Sequence, residues 1–259
     1  MPAVVRRPMW RIWHHLLIKY DKRVSANFMN YGYAPLNPED AVKLQPKDEN
    51  SRYCIQLYDF VARPASLTNK KVLEVGSGRG GGADYLTRYH NPESYSAIDI
   101  SKGIIDFCNS YYNDSRLNFK VGVAEQIPYE KDTFDVVVNV ESARCYRDLN
   151  IFFNEVHRVL KPGGKFMFAD MIEKEEVDEI KQKLAQCNFD IVEETEITPN
   201  VVKALDADSG RREGLIKSLA PGFLQSAFAQ FAGVKGTERY EAFATGKFRY
   251  MAYHLDVKK

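Results

Sequence analysis

The sequence predicts an α/β fold, a parallel sheet with helices on both faces, and three observations carry that expectation. The first is the stretch Lys71-Val72-Leu73-Glu74-Val75-Gly76-Ser77-Gly78-Arg79-Gly80-Gly81-Gly82. It runs from a short apolar segment through glycines into a helical pattern at Ala83, Leu86 and Tyr89, and a strand, a glycine turn and a helix start together cradle an anionic or polar cofactor. The second is that strand-like and helix-like segments alternate five times before Asp170, the order that puts crossover helices on both faces of a parallel sheet. The third is that Glu74, Asp99, Glu125 and Asn139 all fall at or just after strand ends. Ligands of open α/β sheets sit beyond those carboxyl ends.

The elements follow in chain order. Residues 1–50 read as a helical cap segment, and residues 51–259 as the main domain with a lid inserted at 199–246. Met9, Trp10, Trp13, Leu17 and Tyr20 recur at three- and four-residue steps, as on an amphipathic helix. Arg6, Arg7, Arg11, Lys19, Lys22 and Arg23 surround it, so it either packs on the domain or lies on a membrane surface. The stretch from Phe28 to Asn50 reads as a surface loop, in which Tyr31 and Tyr33 either wall a site or pack. A helix is expected from Tyr53 to Val61, then strands at Ser94–Ile100, Leu117–Val121, Phe134–Val140 and Lys165–Asp170. Ile104, Phe107, Cys108 and Tyr111 mark one intervening helix, and Phe152, Val156, Val159 and Leu160 another. Lys161-Pro162-Gly163-Gly164 is a turn. A helix over 173–187 and a strand over 190–198 precede the lid, and Lys247–Val257 is the last strand. Phe223, Phe228 and Phe231 are too many aromatics for a solvated loop, so they are expected to pack on the core or on an acceptor.

Composition narrows the function classes. The chain has 259 residues and a formal net charge of +1, so no global field argues for nucleic acid and a small-molecule acceptor is expected. Cys54, Cys108, Cys145 and Cys187 lack metal-ligand spacing and read as buried thiols in a reducing compartment. No metal is expected. No apolar run approaches the roughly 18 residues of a membrane span, and Trp10–Tyr20 is too interrupted by charge for a signal-peptide core. The expected location is cytoplasmic, at most peripheral to a membrane.

The glycine spacing selects the cofactor. A dinucleotide fingerprint needs G-x-G-x-x-G, whereas Glu74, Gly76, Gly78 and Gly80 give E-x-G-x-G-x-G, and Asp99 closes the next strand. This pattern resembles motif I of class I S-adenosylmethionine (SAM) methyltransferases. Further stretches extend the likeness: Gly80-Gly81-Gly82-Ala83-Asp84-Tyr85-Leu86-Thr87-Arg88, Phe134 to Glu141, Cys145-Tyr146, Arg158 to Gly164, and Phe231 to Thr237. With these the chain resembles the ubiquinone-biosynthesis-like small-molecule methyltransferases, and within them the phthiotriol/phenolphthiotriol dimycocerosate-type O-methyltransferases. The resemblance implies a Rossmann-like seven-stranded sheet with SAM as cofactor. It implies the methionine end at Glu74 and at Gly76, Ser77, Gly78 and Gly80. The ribose would lie at Asp99, the adenine near Ile100 and Ala124-Glu125, and Asn139 at the same edge. The implied reaction is methyl transfer to a lipid-like or polyketide-like acceptor, foremost at a hydroxyl oxygen. C-methylation, a non-catalytic SAM-binding scaffold and a nicotinamide enzyme are the alternatives, the last disfavoured by the glycine spacing.

Two positions depart from the relatives' pattern. Val123 stands where an aspartate precedes the alanine of the adenine loop, which leaves the adenine amine to Glu125 or a backbone oxygen. Arg144 stands where the relatives carry a histidine as candidate base. A guanidinium stays protonated and cannot accept the proton of a hydroxyl. Glu141, Arg144 and His254 are therefore the catalytic candidates, with His14, His15, Tyr31 and Tyr33 behind them. His157 reads as solvated, and His90, at a helix end, as solvated or capping. Either Glu141 takes the proton, or the acceptor arrives ionised and Arg144 steadies it.

Overall fold

The structure is a computed structural model in which residues 27–258 are described. The expected amphipathic helix around Trp10 and Trp13, with His14 and His15, lies outside the described residues. The strands are β1 (Lys71–Val75), β2 (Ser94–Asp99), β3 (Leu117–Val121), β4 (Phe134–Val140), β5 (Leu160–Glu173), β6 (Phe189–Glu196) and β7 (Phe248–Val257). They form one seven-stranded sheet in the order β3-β2-β1-β4-β5-β7-β6. β1 to β5 pair in parallel. Their near-continuous apolar runs, such as Val136 to Val140, suit strands buried on both faces.

The sheet is mixed rather than wholly parallel, because β7 runs antiparallel to both β5 and β6. The reason is the inserted helical region: the chain returns at the carboxyl edge, where Phe248 pairs with Glu173, the last residue of β5. The turn at Lys161–Gly164 falls inside the span of β5. Leu160 pairs with Phe134 and Lys165 with Val136, so the intervening residues bulge out.

The helices are α1 (Arg52–Ala62), α2 (Gly81–His90), α3 (Lys102–Tyr111), α4 (Leu149–Val159), α5 (Val177–Gln186), α6 (Thr198–Leu219), α7 (Gln225–Phe231) and α8 (Glu238–Ala244). Strand alternation sorts the apolar side chains into two cores. Val72, Val136, Val138 and Tyr95 face α1, α2, α3, α6 and α8. Leu73, Val137, Phe166 and Phe168 face α4 and α5. No helix among the described residues is long and apolar enough to cross a membrane.

Residues 27–36 form a strap and not a free surface loop. The Tyr33 N–H donates to the Tyr53 carbonyl at 2.9 Å and the Ala34 N–H to the Asn200 carbonyl at 3.1 Å. Gln56 and Asn200 donate back to the carbonyls of Tyr33 and Ala34. The strap therefore joins α1 to α6. Tyr33 stacks on Phe60 at 4.6 Å, while Tyr31 is buried at the carboxyl edge.

Several expectations for single side chains are corrected. Phe223 is 85% exposed among the described residues, on the short turn Gly222–Leu224 between α6 and α7. His90 bonds Asp59 at 2.9 Å, since the end of α2 returns beside α1. His157 is half-buried with its ring edge-on to Phe189. Cys54, Cys108 and Cys187 are buried free thiols as expected, but Cys145 is half-buried.

Candidate functional site

Gly76 and Gly78 have φ of +81° and +51°, conformations that a Cβ disfavours. They let β1 turn sharply into α2. The Gly76 and Ser77 N–H groups both donate to the Ile98 carbonyl, at 2.8 and 3.0 Å, which ties the turn to β2. Asp99 completes the tie, since its Oδ2 accepts from the Gly78 N–H at 3.1 Å and its Oδ1 from the Ser101 N–H at 2.9 Å. Each carboxylate oxygen retains accepting capacity. Ser77 Oγ and Asn139 Oδ1 are buried here without a hydrogen-bond partner. Ile100 is 68% exposed beside the turn, and Ala124 is buried.

Two cofactor candidates have other work in this arrangement. Glu74 is fully buried, and its two oxygens accept from the Tyr58 and Tyr95 hydroxyls at 2.8 and 3.1 Å. Alternation along β1 turns it toward α1 with Val72, so the carboxylate braces the turn from beneath. Burial pushes its pKa up to about 7 against the pull of the two hydroxyls. Glu125 accepts from the Arg147 N–H, which fastens the loop after β3 to the chain beyond β4. The Asn139 amide Nδ2 lies 2.8 Å from the Val75 carbonyl and 2.7 Å from Ser142 Oγ, so Asn139 joins the ends of β1 and β4.

The turn after β4 holds the rest of the site. Glu141 has φ of +55°, a strained value for a side-chain-bearing residue and one that clusters at functional sites. Ser142 Oγ and the Tyr146 hydroxyl lie over Gly76, within 2.3 and 2.8 Å of where a Cβ on that glycine would be. Arg144, between them in sequence, reaches the other way and lines a pocket of about 90 Å³. Its walls include Phe28, Met29, Tyr31, Ile216, Phe228 and Phe231, with Arg211 and Arg212 of α6 as further cations. Met29 also closes on the glycine turn, with its Cε 2.7 Å from the place of a Cβ on Gly78.

Charge around Arg144 is arranged in a cluster. Its Nη2 lies 3.9 Å from Glu141 Oε2 and its Nη1 3.8 Å from Asp170 Oδ1, and the guanidinium carbon sits 5.5 Å from the centre of the Tyr31 ring. Its backbone N–H donates to Asp170 Oδ2 at 3.1 Å. Glu141 Oε1 accepts from the Tyr31 N–H at 2.7 Å and the Tyr250 hydroxyl at 2.9 Å. Burial raises Glu141 to about 7 although Arg144 pulls it down, and burial also raises Asp170. His254 is not brought to this cluster. It pairs with Met167 in register and contacts Lys165 at 3.2 Å, down the strands from the carboxyl edge, and burial followed by Lys165 lowers its pKa. Asp170, Tyr250 and Arg212 were missed in the sequence; no motif marks them, and only strand register and helix packing bring them here.

A methyltransferase-domain family model matches residues 73–168. The chain is 36% identical over 233 residues to a phthiotriol/phenolphthiotriol dimycocerosates methyltransferase of Mycobacterium ulcerans, with 90% of each chain covered. The chain belongs to that methyltransferase family. It is also 34% identical over 226 residues to a fatty-acid O-methyltransferase of Mycolicibacterium smegmatis, covering 87% of this chain and 81% of that one. In fold it is similar to geranyl diphosphate C-methyltransferase from Streptomyces coelicolor A3(2), with a TM-score of 0.62 at 17% identity, over 88% of this chain and 89% of that chain.

The methyl donor of this methyltransferase is SAM. The glycine turn with positive φ, the Asp99 carboxylate and the orphaned Ser77 and Asn139 oxygens fit a ligand with hydroxyl, amine and carboxylate groups. Asp99→Ala is expected to weaken SAM binding by at least about tenfold, the lower end for hydrogen bonds to a charged group. Calorimetric titration measures this, with the melting temperature as control, and unchanged affinity would place the donor elsewhere.

Glu141 gives a pH signature in stability. Its folded pKa of about 7 lies above the ordinary 4.5, so the folded chain binds the proton more tightly than the unfolded one. That stability is present below 4.5 and lost as pH rises through 7. Glu141→Gln keeps an acceptor for the Tyr31 N–H and cannot ionise. It is expected to melt above the parent beyond pH 7, by on the order of 1–3 kcal/mol, and level with it below pH 4.5. A melting-temperature difference that does not change with pH would count against a titrating Glu141.

Proposed function

We propose that this methyltransferase passes the methyl group of SAM to an oxygen atom of a lipid-like small molecule. One observation carries the reading: the short turn Ser142–Tyr146 touches the glycine turn with its ends and the apolar pocket with Arg144. Methyl transfer is an in-line displacement, so most of the acceleration comes from holding donor and acceptor in one line, and a shared turn does that. In this reading Asp99, Ser77 and Asn139 hold the donor. The strap residues Phe28 and Met29 cover it and exclude water, and the pocket orients the acceptor. Apolar walls with a few polar groups suit an extended apolar molecule. Two relatives covering most of the chain are named for phthiotriol/phenolphthiotriol dimycocerosates and for fatty acids, which supports the same acceptor class.

The test is incubation of the purified protein with methyl-labelled SAM and an apolar metabolite extract. Label is expected in the apolar fraction, in a methyl group that nuclear magnetic resonance places on oxygen. Label on carbon, or only in water-soluble products, overturns the reading.

A further inference from the structure

We infer that Asn139, Ser142 and Tyr146 form a wall of hydrogen-bond acceptors that reads the positive charge of the donor's sulfonium and favours SAM over its neutral product, S-adenosylhomocysteine (SAH). This rests on the donor placement of the proposed function and adds how that site tells a charged donor from a spent one.

The three side chains close on one another beside the glycine turn. Asn139 Nδ2 lies 2.8 Å from the Val75 carbonyl, 2.7 Å from Ser142 Oγ and 3.0 Å from the Tyr146 hydroxyl. Ser142 Oγ lies 3.1 Å from the same carbonyl and 2.8 Å from the Tyr146 hydroxyl. Val75 directly precedes Gly76, and the two hydroxyls crowd the place where a Cβ on Gly76 would stand.

Every proton of the cluster is used inside it. A carbonyl only accepts, so the nitrogen of Asn139, not its oxygen, faces Val75. That nitrogen carries two hydrogens and each hydroxyl carries one. The Val75 carbonyl takes one amide hydrogen and the Ser142 hydrogen. The two hydroxyl oxygens share the other amide hydrogen, and the Tyr146 hydrogen goes to Ser142 Oγ. The reverse bond, from Ser142 to Tyr146, would leave the tyrosine hydrogen without an acceptor among the described residues. Burial first, and the charge of Asp99 after it, push the Tyr146 pKa well above the ordinary tyrosine range, so the hydroxyl keeps this hydrogen near neutral pH.

What the cluster has left to offer is lone pairs. Asn139 Oδ1 is fully buried and has no partner, and the Tyr146 oxygen receives only a share of one amide hydrogen. A buried acceptor without a donor costs free energy, which a ligand that brings positive charge offsets. An anion would meet lone pairs with lone pairs and be repelled. SAM carries a fixed positive charge on sulfur, spread over the methyl and methylene hydrogens attached to it. SAH has the same amine, ribose and adenine around a neutral sulfur. Attraction between such oxygens and a cation is stronger in a site of low polarity than in water. The wall therefore acts on the feature that separates the two molecules, and the Asp99 carboxylate works in the same sense.

The experiment titrates the full chain calorimetrically with SAM and with SAH, beside a thermal melt. Tyr146→Phe removes the hydroxyl and keeps the ring that packs edge-on to Phe152 at 4.7 Å. It is expected to weaken SAM about tenfold and SAH by no more than about twofold. Ser142→Ala deprives the Tyr146 hydrogen of its acceptor and is expected to lower the SAM-to-SAH affinity ratio as well. Equal losses for SAM and SAH would assign the cluster to the amine or to the shape of the turn, and would overturn the inference. A ratio that stays within about twofold of the parent's in both variants overturns it too. If Tyr146→Phe melts far below the parent, Ser142→Ala decides. The donor placement is tested apart from the wall. Weakened SAM binding in Asp99→Ala with an unchanged ratio in Tyr146→Phe removes the wall and leaves the donor site standing, whereas unchanged SAM binding in Asp99→Ala removes both.

Discussion

Gly76→Ala is expected to abolish detectable SAM binding and to lower stability at once. The new Cβ would lie 2.3 Å from Ser142 Oγ, 2.5 Å from Ser142 Cβ and 2.8 Å from the Tyr146 hydroxyl. At φ of +81° the left-handed conformation adds roughly 1–2 kcal/mol, and overpacking roughly 1–3 kcal/mol more. Relief requires Ser142 and Tyr146 to move, and both sit on the turn that also carries Arg144. A loss of affinity of about a hundredfold or more is expected, read by calorimetric titration beside a thermal melt. Binding within a few-fold of the parent would show that the contact between the turns of β1 and β4 is dispensable.

The second large effect is expected from Arg212→Ala. Its buried guanidinium bonds Asp208 at 2.9 Å, the Ala232 carbonyl at 3.0 Å, and the carbonyls of Asn30 and Tyr31 at 3.3 and 3.0 Å. Asp208 keeps its two bonds of 2.6 Å from Arg211, so no carboxylate is left bare. The cost is the backbone acceptors, about 3 kcal/mol, or about 6–12 °C in melting temperature for a chain of this size. Acceptor KM should rise in parallel, because the strap loses its hold on α6. Arg212→Lys should recover little, since an ammonium cannot span three carbonyls as a planar fork does. A melt within a degree of the parent would mean that the strap is anchored by other contacts.

What was legible in the sequence follows from periodicity and spacing. The apolar runs of β1, β4 and β5 and the glycine turn announce themselves, and Asp99 falls where the turn needs an acceptor. The partners of Glu74 were not legible, because spacing does not show which face of β1 a residue takes. Tyr58 and Tyr95, 16 and 21 residues away, claim it from one face. The strap looked like a loop because its bonds reach residues as distant as Arg212, 181 positions on from Tyr31, and leave no periodic mark. His254 looked plausible until the register with Met167 put it down the strands from the edge. Phe223 carries no signal that separates a buried aromatic from an exposed one.

The strap has a consequence for the order of events in a turnover. Met29 rests against Gly78 and Phe28 against Gly81, on the turn assigned to the donor in the proposed function, while Phe28, Met29 and Tyr31 are walls of the pocket it assigns to the acceptor. One peptide segment is thus a shared door to two rooms. If it opens to exchange spent donor for fresh, it would also unmake the acceptor's walls, so neither molecule would be replaced while the other stays fully enclosed. Saturating either substrate should then slow the escape of its companion, and a trapped donor would be released in step with the methylated product.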